Sequence, residues 1–427
     1  MVRWRDFSTF AFVGAIFVAT SGATNAWTLK TLYNFCSENG CTDGSSPAGG
    51  LLRDGNGNLF GTTSLGGARG DGAVFELKRN GDSWAYQVLH SFCSACEGGA
   101  FPASRLVLDT AGNLYGTAPS NGELPDCGVV FRLSPNADGS KWKMKRLHSF
   151  CAFDGDGAHP IAGVTYAGAM AGAPYDGLSP LYGVTIDGGT NRGGTVYEIQ
   201  PSGARWKERV IYSFCPDKGS CADGAGPGGD LLMDSIGNLY GNTFRGGASD
   251  KGAVFKLSPH GKRWHQQVMH SFCSTSNCSD GSFPEGSLAM DSAGDLFGTT
   301  TSDSDEGGTL YRLVPRHGSS KVSVLHAFCK TDCADGHSPA AGPLFGTDGS
   351  LFGTTQGGGE AGTAGGGTIY KLVGKNLIAL YSFCTLQGCP DGADPQAPLI
   401  TDDAGNLFGV TFVGGANSGG TVFELSP

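Results

Sequence analysis

Apolar residues in this chain come in short alternating runs separated by glycine-rich turns. In Trp84–Phe92 (WAYQVLHSF), residues Trp84, Tyr86, Val88, His90 and Phe92 fall on one side, the period of two that marks a β-strand. Three further strand-like segments precede it. Gly49–Asp54 (GGLLRD) is short and apolar. The turn DGNGN follows, its Gly and Asn supplying the positive φ of a tight hairpin. NLFGTT gives a second strand, and after a glycine-rich connection Gly72–Leu77 (GAVFEL) gives a third. The pattern predicts a four-stranded meander.

The meander repeats. Its tetrad stands at Asn58–Gly61, Asn113–Gly116, Asn238–Gly241 and Asn406–Gly409, with degenerate copies at Pro180–Gly183, Asp295–Gly298 and Ser350–Gly353. Counting along the sequence gives seven copies, 55 to 67 residues apart. That spacing belongs to propellers and solenoids. The ends of the chain decide between them. Residues Trp27–Phe35 (WTLKTLYNF) form a fourth strand without the other three, and Gly419–Pro427 forms a third strand without a fourth. Joined, they complete one blade and bury two sheet edges. The expectation is an all-β, seven-bladed β-propeller of four-stranded blades spanning 27–427, with the N-terminal strand completing the last blade.

The compound motif GLLxDxxGNLFGTTxxGGxxxxGTVFEL, followed by VLHSFC and DGxxP, resembles the GloVer (Gloeo/Verruco) tandem repeats of exported bacterial proteins. The resemblance runs over nearly the whole of 27–427. It implies an exported repeat protein and brings no enzymatic activity with it. Many members carry a C-terminal anchor. This chain ends on a strand, so the resemblance implies a freely secreted protein.

Composition agrees with many short strands and tight turns: 72 glycines, and only 16% charged residues. The net charge of −10 argues against a nucleic-acid backbone as partner, which needs a basic face. Residues 1–26 read as a signal peptide, with Arg3 and Arg5 before a largely apolar Phe7–Val18 and a small-residue end at Ala26. The apolar run is short for a membrane span, so export is expected, with no membrane association in the mature form and a monomeric state.

All fourteen cysteines fall after residue 26. Twelve stand as close pairs after the fourth strand and before DGxxP: Cys36/Cys41, Cys93/Cys96, Cys215/Cys221, Cys273/Cys278, Cys329/Cys333 and Cys384/Cys389. In an exported chain these read as local disulfides, not as zinc ligands, since zinc wants four converging donors. Cys127 and Cys151 lack near partners. If the third and fourth strands of their unit turn near Gly139, the two lie opposite each other at disulfide distance.

In a repeat protein, a residue that recurs is first a structural residue. Trp27, Trp84, Trp142, Trp206 and Trp264 share one position and read as packing between blades, not as sugar platforms. His90, His148, His270 and His326 alternate with Tyr33, Tyr212 and Tyr381, which suits an aromatic packing site better than a metal site. The remaining histidines have no ligand spacing. The Asp of DGxxP (Asp43, Asp156, Asp223, Asp280, Asp335, Asp391) reads as turn chemistry, and the second unit has Gly98 there. There is no phosphate loop and no GxSxG elbow. No cofactor, metal or catalytic residue is expected.

Departures between the second and third strands remain. They are Glu123 and Asp126 in the second unit; Arg245, Asp250 and Lys251 in the fourth; and the cluster Asp303, Asp305 and Glu306 in the fifth. That connection shares a face with the disulfide loop. The cluster is the candidate ligand site on a scaffold that contacts a glycan or another envelope component. A hydrolase or lyase using the acidic loop residues is the alternative, and a purely structural surface protein is a third reading.

Overall fold

The computed structural model describes residues 27–94, 98–120, 127–203, 205–217, 219–275, 277–302, 307–316 and 320–427. These form seven small antiparallel sheets in a ring, a seven-bladed β-propeller. In the first blade the strands are Leu52–Arg53, Leu59–Thr63, Ala73–Asn80 and Ser83–Ser91, hydrogen-bonded in chain order. The seventh blade takes its fourth strand from the start of the chain. Thr28–Asn34 pairs antiparallel with Thr421–Ser426, from Thr28 opposite Ser426 to Asn34 opposite Thr421. In the third blade the first strand shrinks to a single bridge between Thr165 and Tyr182. The signal-peptide reading of residues 1–26 lies outside the described residues.

The recurrent tetrad has a steric cause. A Cβ on Gly61 would stand 2.5 Å from the Phe75 ring, and one on Gly183 would stand 2.3 Å from Tyr197 Oη. Glycine on the second strand is the bed for the third-strand aromatic. That aromatic meets the Phe ending the preceding unit's fourth strand. Seven such pairs, Phe35–Phe75 through Phe383–Phe423, close the ring with centroids 5.0–5.2 Å apart. The tryptophans pack on second-strand aromatics of the preceding blade, as in Trp84–Phe408, Trp206–Tyr115 and Trp264–Tyr182. These contacts bear out the packing role expected of them.

The strict alternation of the fourth strand does not survive. Val74 pairs with His90 and Phe75 with Val88, so Leu89 is the extra residue of a β-bulge and turns into the core. A bulge recurs at this point in every blade. It re-aims the residue that follows it toward the next blade.

Six disulfides are formed among the described residues: Cys36–Cys41, Cys127–Cys151, Cys215–Cys221, Cys273–Cys278, Cys329–Cys333 and Cys384–Cys389. Cys96 lies outside them, and so does any geometry of its pairing with Cys93. The inter-strand bond follows from register. Val129 pairs with Ser149, which places Cys127 and Cys151 across from each other with Cα atoms 5.9 Å apart. No helix among the described residues is long and apolar enough to cross a membrane.

Each chain pass sets the two faces of the disc. The disulfide loops and the glycine-rich connections share one face, and are tied by bonds such as Gly67 N to Cys41 O (2.9 Å) and Gly359 N to Cys333 O (2.8 Å). The turns between first and second strands decorate the other. The segments entering the first strands converge on the axis, where Gly229 and Gly286 allow blades to approach: a Cβ on Gly286 would stand 2.5 Å from Gly342 N. They enclose a central channel of about 110 Å³.

Candidate functional site

The residues aligned around the channel mouth are Gly50, Arg105, Gly163, Asp230, Ser287, Gly342 and Pro398, one from each unit. Two charges break this ring of small residues. A Gly163 N–H donates to Asp230 Oδ1 at 2.7 Å, and Asp230 N donates to Ser287 Oγ at 3.0 Å. Protein closes around the Asp230 carboxylate although water reaches it through the channel. Burial raises its pKa, against the opposing pull of the Arg105 charge and the Gly163 bond. Glu285 lines the same channel, and burial raises its pKa as well.

Above this ring a cleft of about 430 Å³ opens on the turn face, between the first strands of the first three blades. Arg53, Arg105, Asp230 and Tyr166 supply its polar lining. Its outer wall is peculiar to the third unit, where residues 166–179 replace the short hairpin turn. This wall is anchored. Tyr175 is fully buried against Tyr115 (5.2 Å) and Tyr166 (5.0 Å), and its hydroxyl donates to Ser179 O at 2.6 Å. Tyr166 Oη donates to Ala173 O at 2.7 Å, folding the segment back on itself, and Thr110 N donates to Tyr175 O at 3.0 Å. Burial raises the Tyr166 pKa while the nearby Arg105 charge opposes the rise. Asp54, also at the lip, is committed to its own turn by Asn56 N, Asn58 N and Asn58 Nδ2. Neither Arg53 nor Arg105 forms an ion pair among the described residues.

The histidine–tyrosine position has a second role besides aromatic packing. Each ring stands edge-on to the Phe two residues later, as in Tyr33–Phe35 and His270–Phe272. Six of the seven also carry a polar atom to the DGxxP aspartate of the loop that follows, His90 facing Gly98 instead. Tyr33 Oη donates to Asp43 (2.7 Å), Tyr212 to Asp223 (2.7 Å) and Tyr381 to Asp391 (2.9 Å). His148, His270 and His326 meet Asp156, Asp280 and Asp335 at 3.3, 3.0 and 2.7 Å. Tyr and His interchange because both place a donor there. The aspartates are thereby fixed as loop anchors: Asp43 also accepts from Ser37 N (2.9 Å), Ser37 Oγ (2.8 Å) and Glu38 N (3.3 Å). Burial alone would raise the Asp43 pKa; the bonds from Tyr33 and Ser37 outweigh it and hold the group below the usual range.

One seam between blades breaks this scheme. Glu208, on the third blade's fourth strand, brings a carboxylate toward His148 on the second blade's fourth strand and Asp156 in the loop after it. Burial, with a smaller contribution from the Asp156 charge, pushes its pKa up to about 8.

Asp303, Asp305, Glu306, Glu123 and Asp126 lie outside the described residues. The charges singled out in the fourth unit are put to local use. Asp250 accepts from Gly246 N (2.9 Å), Lys251 Nζ sits 4.4 Å over the Phe283 ring, and Arg245 lies 5.8 Å from the Phe244 ring. Arg105 and Asp230 escaped the sequence reading, although aligning the seven first strands would have set them against glycine, serine and proline.

A family model described as the Gloeobacter/Verrucomicrobia repeat matches residues 11–179 and 169–340. No curated protein matches the chain. Among solved structures, the chain is similar to a crystal structure of a puromycin hydrolase mutant complexed with PGG. The identity is 12%, the TM-score 0.48, and the match covers 86% of this chain and 50% of that one. The chain thus spans half the length of that hydrolase. With its repeat matched over most of its length, the chain belongs to the Gloeobacter/Verrucomicrobia repeat family.

Proposed function

We propose that this propeller is an exported, monomeric binding scaffold that takes a glycan, or an envelope component of similar chemistry, at the mouth of its central channel. The carrying observation is the cleft walled by the third unit's extra segment, where Arg53, Arg105, Tyr166 and Asp230 converge. An aromatic wall beside a carboxylate and two guanidinium groups that have no ion-pair partner among the described residues suits a polyhydroxylated ligand. The guanidinium groups favour sugars that carry carboxylates. Export rests on the basic-then-apolar leader at Arg3–Val18 and on the disulfides, which persist in oxidising compartments.

Binding is favoured over cleavage by the carboxylate count. Hydrolysis of a glycosidic bond takes two acidic groups flanking it. Among the described residues lining the cleft, Asp230 is the one carboxylate not consumed by a turn, and Glu285 lines the channel below it, not the cleft. The test is to incubate purified protein with neutral and uronate-containing polysaccharides, and to score both retention and new reducing or unsaturated ends. The expected result is retention of uronate polymers without product. Product formation would replace the scaffold by an enzyme, and retention of no polysaccharide would remove the glycan.

A further inference from the structure

The seam between the second and third blades departs from the repeat in three ways at once. Its fourth-strand position is Glu208, where the other units have Leu29, Tyr86, Met144, Gln266, Val322 and Leu377. Its loop cysteine, Cys151, bonds across strands to Cys127 instead of closing the local loop. Its His–Asp contact, at 3.3 Å, is the longest of the three such pairs.

Where this position is polar in other units, it donates to the main-chain carbonyl of the facing aspartate. Tyr86 Oη donates to Asp43 O, and Gln266 Nε2 donates to Asp223 O at 3.2 Å. Glu208 reverses the requirement. Both of its carboxylate oxygens are shut off from solvent and accept no hydrogen bond from the described residues. The nearby Arg209 is turned away, paired with Glu198 at 2.7 Å. Two acceptors buried beside a second carboxylate call for a cation, since an uncompensated buried charge is costly. One is geometrically provided for: His148 Nε2, an Asp156 oxygen and a Glu208 oxygen all lie within 4.8 Å of one another.

We propose that His148, Asp156 and Glu208 bind a divalent transition-metal cation, with Zn²⁺ the best match, in the seam between the second and third blades. One imidazole nitrogen and two carboxylates form a donor set that Zn²⁺ takes, and two negative charges balance the ion. A fourth position is left for water, which the partly exposed edge of His148 admits. The ion ties the third blade's outer strand to the second blade's loop.

The test uses the full mature chain, stripped with a chelator and titrated calorimetrically with Zn²⁺ near neutral pH, with melting followed in parallel. The wild type is expected to bind about one equivalent and to melt higher with zinc, reversibly on chelation. Glu208→Gln should lose affinity by about tenfold or more. In chelator it should melt no lower than wild type, because the amide donates to the Asp156 carbonyl as Gln266 does to Asp223. Should that variant fail to fold, His148→Tyr reads the same point, since Tyr is native at this position in three other units. A wild type whose melting responds to acid but not to zinc would overturn the proposal, making Glu208 a buried neutral acid. So would undiminished zinc affinity in a folded Glu208→Gln or His148→Tyr variant.

Discussion

Two seams of the same ring use one scaffold to opposite ends. Where the seventh blade meets the first, Tyr33, Asp43 and Tyr86 form a closed hydrogen-bond set, with the two tyrosine rings stacked 3.9 Å apart. Where the second meets the third, His148 and Asp156 hold the same two places, but Glu208 replaces the donating Tyr86. The first seam is complete without help from solvent, and it is also where the chain closes on itself. The second keeps two orphan acceptors at the one unit that also grows the extra wall over the channel mouth. The repeat supplies the recurrent packing, and departures from it leave polar groups that the repeat does not satisfy.

The harshest way to break the comparison is to remove the closing strand. Deleting residues 27–35 strips Thr28–Asn34 from its partner and Phe35 from Phe75. The expected result is a fall in melting temperature of at least about 10 °C, or association through the bared edge, by calorimetry and size-exclusion chromatography. A monomer with unchanged melting would refute closure.

A milder test compares the two aspartates. Asp43→Ala should cost about 3 kcal/mol in denaturant unfolding, because it orphans several buried donors. Asp156→Ala, measured in chelator, should cost about 1 kcal/mol less than that, since Asp156 meets three donors where Asp43 meets four, and its loss leaves Glu208 without a neighbouring carboxylate. Equal costs would mean the seams are energetically alike.

The smallest effect concerns the seam that lacks its aspartate. His90 faces Gly98, and burial lowers its pKa from the ordinary histidine value. Folded His90 is neutral where the unfolded chain still takes up a proton. Its contribution is therefore intact above the unfolded pKa of about 6.5 and is lost as pH falls through it toward the folded value. His90→Phe should flatten that loss, so variant and wild type diverge between about pH 7 and about pH 5. Parallel stability curves over that range would assign the histidine no part in acid sensitivity.

Much of this architecture is legible in the sequence because each strand is read seven times. The orphan strand at Trp27–Phe35 and the Cys127–Cys151 bond both follow from register, and both appear in the structure. The bulge at Leu89 does not follow: Leu89 and His90 can each face a core, and alternation cannot say where it breaks. The tyrosine–histidine lock is hidden because an aromatic ring serves packing and hydrogen bonding alike. Arg105, Asp230 and Glu208 are visible only when each unit is set against the other six at the same register. Asp303, Asp305 and Glu306 stand out as a departure of the fifth unit's connection, and they lie outside the described residues.

The central claim, that ligand binding belongs to the channel mouth, is tested most directly by measuring affinity for a retained uronate polysaccharide. Four forms are compared: wild type, Arg105→Gln, Asp230→Asn, and a control with Asp303, Asp305 and Glu306 changed to Asn, Asn and Gln. The account predicts a loss of about tenfold or more, roughly 1.4 kcal/mol, in each channel-mouth variant and none in the loop control. Full affinity in both channel-mouth variants, with loss in the loop control, would contradict it and move the site to the disulfide face.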